Sequence, residues 1–194
     1  MKKILILLLL INLNFTNTYS IEADVFIQST VNRAAQTLGA GLTKEERMDE
    51  LKKIALDTVD IRGIGIYSLG IHRKTTNEEQ KIEYMKAFEN YFLQSFSSRL
   101  AEYSNPIINV DSKKKINENY TIVSSTLAGT EKRPAVKIEW RVYTKNKERP
   151  LIRDLIIEGL SLARTQKEEF NSIINSANGD IKVLLESLRN FSNN

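Results

Sequence analysis

The sequence predicts an α+β fold: a curved antiparallel sheet of about four strands, packed with an N-terminal helical part and C-terminal helices. Three observations lead there. Apolar residues recur with a helical period up to about Tyr103, the period drops to two beyond Pro106, and the helical period returns after Ser161. No internal repeat or low-complexity linker divides the chain, so residues 21–194 read as a single domain.

The first helix is expected over Ala23 to Leu38, with Val25, Phe26, Val31, Ala34, Ala35 and Leu38 near helical spacing and Gly39-Ala40-Gly41 closing it. Thr43 and Glu46 form a capping box for a second helix striped by Met48, Leu51, Ile54 and Ala55. Asp60 caps a third, Ile61 to Leu69, whose Gly63 and Gly65 cost about 1 kcal/mol each relative to Ala. Those glycines imply a close backbone approach or a need for motion. The longest helix runs from Asn77 to about Tyr103, capped by Thr76 with Glu79, and is on the order of 40 Å long. Ile82, Met85, Phe88, Phe92, Phe96 and Leu100 make its stripe, widened by Tyr84, Tyr91 and Leu93. Such a stripe is either core lying across a sheet or the wall of a cavity.

Strands are expected at Ile107 to Asp111, Tyr120 to Ala128, Ala135 to Thr144 and Leu151 to Glu158, joined by polar turns as a meander. In VKIEWRVY, Val136, Ile138, Trp140 and Val142 share one face, and Lys137, Glu139, Arg141 and Tyr143 the other. The last strand carries apolar residues on both faces, which reads as a central strand. Gly159 then supplies a tight turn, Ser161 caps a helix presenting Leu162, Ala163, Phe170, Ile173, Ile174 and Ala177, and Asp180 caps a closing helix striped by Ile181, Leu184, Leu185, Leu188 and Phe191. A curved sheet under helices is a cone whose apolar interior is either filled or open to a ligand.

The N-terminus, MKKILILLLLINL, has two lysines before an apolar run too short for the roughly 20 residues a bilayer span needs. It reads as a signal peptide over residues 1–20, cleaved near Ser20, which places the mature chain in the compartment beyond the membrane. Removing Lys2 and Lys3 leaves 26 basic against 24 acidic residues, a net charge of +2, too balanced for a nucleic-acid binder. Lys113 to Lys115 and Lys145 to Arg149 read as solvated loops, with attraction to an anionic membrane surface as the alternative. With no cysteine, the core holds without disulfides.

Catalytic chemistry is not legible. Asp154 and Glu158 lie four residues apart on a strand, roughly 13 Å, too far to share a proton. His72 has neither a second histidine nor a cysteine to complete a metal site and reads as a surface residue. No phosphate loop or nucleophile elbow appears. The expectation is a non-enzyme with no catalytic residue, metal or cofactor.

The stretch DLIIEGLSLARTQKEEF, residues 154–170, resembles the D-x-x-x-E-G-x-S-L signature of the MlaC, or toluene-tolerance, family through Asp154, Glu158, Gly159, Ser161, Leu162 and Phe170. Leu69-Gly70, Glu79-Gln80, Phe88, Tyr103 and Asn178-Gly179-Asp180 support the likeness, which covers residues 23–191. The chain departs from it at Pro150, Arg153 and Ile71-His72, where relatives commonly carry aromatic residues. The resemblance implies a periplasmic phospholipid-binding shuttle that maintains outer-membrane lipid asymmetry. Its implied partners are phospholipid, an inner-membrane ABC transporter complex with its substrate-binding subunit, and an outer-membrane lipoprotein complex.

Together with the apolar periodicity, it implies an acyl-chain cavity lined by Ile64, Tyr67, Phe88, Tyr91, Phe92, Phe96, Ile138, Trp140, Val142, Leu155, Ile157 and Leu160. Asp154, Glu158, Gly159 and Ser161 are assigned to the structural joint, and Arg141 or Arg153 to the neighbourhood of a phosphate. Gly63 and Gly65 are the expected moving wall. The other readings are an interaction module without ligand and a small-molecule enzyme on a cone-shaped α+β fold.

Overall fold

The computed structural model describes residues 20–131 and 133–192. The leader read at residues 1–20 lies outside the described residues, apart from Ser20. Helices α1 (Ala23–Gly39), α2 (Lys44–Thr58), α3 (Ile61–Ser68) and α4 (Glu78–Leu100) come first. Strands β1 (Ile108–Asn117), β2 (Tyr120–Leu127), β3 (Val136–Tyr143), β4 (Leu151–Ile157) and β5 (Leu160–Ser161) follow, then α5 (Leu162–Ser176) and α6 (Ile181–Ser192). The strands form one open antiparallel sheet in chain order. The α+β class is as the sequence predicts, with a fifth, two-residue strand added.

Local chemistry explains most element ends. Thr43 accepts from the Glu46 N–H while the Glu46 carboxylate accepts from the Thr43 N–H, the expected capping box. At α4 the box sits one residue later: Asn77 accepts from the Gln80 N–H, and Gln80 reaches back. Thr76 is unavailable because its hydroxyl donates to the His72 carbonyl at 2.7 Å, closing a 3-10 turn over Gly70–Lys74. That turn tucks His72 inside, 8% exposed, so it is not the surface residue the sequence suggested. Helix α1 is also rotated from its expected stripe. Ala23, Ile27, Thr30, Val31 and Leu38 are buried, whereas Val25 is exposed.

Residues Lys113 to Lys115 are not a loop. They extend β1, which bulges at Asp111 and Ile116, and such bulges sharpen a strand's twist and bend. Nor is β4 central. Beyond β3 its free edge takes only β5 at one end and, at the other, the backbone of Val59 and Asp60, whose Asp60 N–H donates to the Ile152 carbonyl at 2.9 Å. Helices α3 and α5 both pack against it.

The sheet registers define two faces. The inner face carries Ile108 and Val110 of β1, Thr121, Val123, Ser125 and Leu127 of β2, Val136, Ile138, Trp140 and Val142 of β3, and Ile152, Leu155 and Ile157 of β4. The first half of α1 packs here, against β1 and β2, through Ala23, Ile27 and Val31. Its second half leaves the sheet, burying Leu38 with Leu51 of α2 and Ala101 after α4. Helix α4 does not lie across the sheet as expected; it packs on α2, α3 and α6.

Gly65 of α3 accounts for one of the two helical glycines by close approach. A Cβ there would stand 2.8 Å from the Phe88 ring and 3.0 Å from the Met85 methyl, and the Tyr84 hydroxyl donates to its carbonyl at 3.0 Å. At Gly63 the added carbon would run into the Asp60 carboxylate that caps the helix. Close packing is a sufficient physical reason for both. Gly65→Ala should therefore overpack the α3–α4 contact and lower stability by about 1–3 kcal/mol, read from the urea midpoint; an unchanged midpoint would remove this explanation.

Candidate functional site

The inner face is mainly apolar, with Lys113 and Lys115 of β1 in register with Val123 and Thr121 at one end, and it is covered along only part of its length. Under α1, Val123 and Val142 are fully buried and Ile138, Trp140 and Ile152 nearly so. The polar atoms of this half satisfy one another, since the Trp140 Nε1–H donates to Ser125 Oγ at 2.8 Å. Toward the start of β1 the cover thins. Ile108, Val110, Leu127, Val136 and Leu155 are half-buried, packed at the margin of the core, Ile157 is half-buried beyond them, and Leu160, register partner of Ile157, is 59% exposed.

The C-terminal half of α4 meets the same core margin. Phe92, Leu93 and Phe96 are half-buried against it, and the Phe92 and Phe96 rings stack 5.7 Å apart and 9° from parallel. Helix α4 ends at Leu100, and the chain reaches the start of β1 at Ile108 by way of Tyr103. Half-buried apolar side chains of α4 and of the strand ends thus border one core, which makes their margin the candidate cleft for an apolar chain, and none of those named is an acid or a base.

The residues expected to line a cavity fall into four groups. Phe92, Phe96, Leu155 and Ile157 lie at the half-covered margin, and Leu160 stands at its rim. Ile138, Trp140 and Val142 form the buried floor beside it. Phe88 and Tyr91 belong to an aromatic cluster with Tyr84 and Phe170; Phe88 is 1% exposed, and the Tyr91 hydroxyl donates to Gln166 Oε1 at 3.0 Å. Burial pushes the Tyr91 phenol upward, with Glu169 adding to it. Ile64 and Tyr67 are displaced from the cleft, because the Val59–Ile152 bridge anchors α3 at the β4 edge.

Ile64 and Tyr67 line a different feature, a groove of about 500 Å³ on the outer face, shared with Ile116, Tyr120, Ile122, Arg141, Arg153, Asp154 and Ala163. Arg153, standing where an aromatic was anticipated, donates to Asp60 at 2.6 Å and Tyr120 at 2.7 Å and lies over the Tyr143 ring at 3.6 Å. Burial opposes its charge, but the bonds to Tyr120 and Asp60 outweigh that and hold the guanidinium above its ordinary pKa. Sequence reasoning left out Leu93, Ile108, Val110, Leu127 and Val136. The signal was present, since Ile108 and Val110 alternate around Asn109, and Val136 starts the inward series of β3.

The joint after β4 is a two-residue hairpin rather than a direct strand-to-helix turn. Glu158 and Gly159 have φ of 49° and 83°, the paired positive values of a tight hairpin, and Ile157 pairs with Leu160. Asp154, 4% exposed, accepts from Ser161 Oγ at 2.6 Å and from the Ala163 N–H at 3.0 Å, while Ser161 Oγ accepts from the Arg164 N–H at 3.1 Å. One buried carboxylate thus ties the start of α5 to β4. Among the described residues no three His, Asp or Glu side chains gather as a metal site.

The family model described as "MlaC protein" matches residues 28–190. Among solved structures, the phospholipid-binding protein from Ralstonia solanacearum, in complex with a phospholipid, superposes with a TM-score of 0.75. The match covers 89% of this chain and 97% of that one at 17% identity, a likeness of fold. No curated protein sequence matches.

Removing the Asp154 carboxylate leaves a helix start and a hydroxyl without their buried acceptor. Asp154→Ala should lower stability by about 1–3 kcal/mol in denaturant unfolding; an unchanged midpoint would mean that α5 is held elsewhere.

Proposed function

The chain belongs to the MlaC protein family, and on that premise we propose that it is a phospholipid-binding carrier of the periplasm rather than an enzyme. The acyl chains lie in the cleft between Phe92 and Phe96 of α4 and the half-covered end of the inner sheet face at Leu155, Ile157 and Leu160. The headgroup stays at the rim near Leu160. The observation that carries this reading is the burial gradient along one apolar sheet face. The fold shared with a protein solved in complex with a phospholipid supports it.

The energetics set what such a carrier must do. Two acyl chains hold roughly thirty methylenes at about 0.8 kcal/mol each, so hiding them from water is worth on the order of 20 kcal/mol. Partial cover of the tails would not suffice, and α4 has to close on them. The carrier moves lipid between an inner-membrane ABC transporter complex and an outer-membrane lipoprotein complex, as one lipid-binding domain over residues 21–194 after loss of its leader. No helix among the described residues is long and apolar enough to cross a membrane.

The test is extraction of a fluorescent phospholipid from vesicles by the mature protein and by Phe96→Glu and Leu155→Glu. Both positions are half-buried, so the variants should stay folded by circular dichroism while a carboxylate enters the tail site. Extraction should fall at least about tenfold, equivalent to 1.4 kcal/mol or more. Folded variants that extract lipid at the original level would overturn the assignment of the cleft.

A further inference from the structure

The end of the sheet opposite the cleft gathers basic side chains that pair with nothing. There the β1–β2 turn and the β3–β4 loop lie side by side: Tyr120 pairs with Tyr143, and the Thr144 N–H donates to the Asn119 carbonyl at 2.8 Å. Lys114 and Arg141 flank Ile122 on the outer face by register, and Lys145, Lys147 and Arg149 occupy the neighbouring loop, all exposed. None of these five has an ion pair or hydrogen bond through its side chain among the described residues. Their neighbours differ. Lys113 is held by Glu22 and Asp24, and Lys115 by Glu118. Of the other acids nearby, Asp154 opposite Arg141 is engaged by Ser161 and Ala163, Glu118 is paired with Lys115 and also feels Lys147, and Glu148 lies in the same loop as Lys145, Lys147 and Arg149.

This surface is not only charged. Ile116, 52% exposed, stands on the same hairpin, and Tyr67, 42% exposed, faces it across the outer groove whose lining includes Arg141. Cations spread over loops around exposed aliphatic and aromatic groups fit a fluid surface of distributed negative charge better than a partner of fixed shape. Each lysine or arginine near an anionic leaflet contributes on the order of a tenfold gain in binding, and interfacial positions favour a Tyr beside an apolar side chain.

We infer that this end of the sheet is a docking face for an anionic phospholipid bilayer, with Lys114, Lys145, Lys147 and Arg149 at headgroup level, Ile116 entering the interface and Arg141 meeting a phosphate. The contact is separate from the acyl-chain cleft and does not rest on it. It holds the carrier at a membrane while the opposite end stays free.

The experiment is co-sedimentation of the mature protein with vesicles of phosphatidylcholine alone or with added phosphatidylglycerol, in low and high salt. The original protein should bind the anionic vesicles only, and lose them in high salt as the charges are screened. Lys145→Glu, Lys147→Glu and Arg149→Glu together should reduce binding by a hundredfold or more, with lipid extraction from detergent micelles unchanged. Phe96→Glu, which tests the cleft, should bind vesicles as the original does. Equal binding to both vesicle types, or binding that survives the triple reversal and fails in Phe96→Glu, would overturn the inference.

Discussion

An apolar sheet face has to be covered, and in this chain the helices cover it unevenly. The first half of α1 lies on β1 and β2 with its N-terminal turn fixed by Lys113 between Glu22 and Asp24. Its second half turns to α2 and the end of α4, and α4 in turn packs on α2, α3 and α6. Among the described residues the sheet end that carries Ile108, Leu127, Val136 and Ile157 is left only half-buried. Half-buried apolar surface forgoes about 25 cal/mol for each Å² left in water. A ligand that covers it recovers that energy and stabilises the fold by mass action. On the proposed function the incomplete cover is both a weakness of the empty molecule and the source of its affinity.

The other fixed point is Asp154. A carboxylate inside a protein has to be hydrogen-bonded, and this one is satisfied by the first groups of α5. The Glu158-Gly159 hairpin makes that contact possible, since it returns the chain along the β4 edge before the helix begins. From there α5 carries Phe170 into the aromatic cluster around Phe88, which in turn requires Gly65 beneath it. A signature that could be taken for paired catalytic carboxylates is instead the device that sets the helical cover at its angle to the sheet.

Much of this architecture was legible in the sequence because local chemistry decides it. The capping box at Thr43, the period-two alternation of VKIEWRVY and the leucine stripe of α6 each depend on residues within a few positions of one another. What was not legible depended on competition or on distant partners. The α4 cap moved to Asn77 because Thr76 was engaged by His72, and His72 was buried by a 3-10 turn that has no strong sequence pattern. The lysine run read as a turn because its charge hides a strand whose register β2 imposes. For the candidate site, the floor residues Ile138, Trp140 and Val142 follow from alternation. The placing of Ile64 and Tyr67 does not, because the bridge from Val59 to Ile152 that sets α3 joins residues far apart in the chain.

Trp140 is the chain's one tryptophan, buried on the inner face beside Leu155 in register, so its fluorescence reports on the cleft directly. The decisive measurement is quenching of Trp140 by bound phospholipid whose acyl chains carry bromine, compared with the same lipid brominated in its headgroup region. If the tails occupy the cleft, chain bromination quenches strongly and headgroup bromination does not. Stoichiometric lipid binding with Trp140 unquenched by chain bromine would contradict the account and place the tails elsewhere on the molecule.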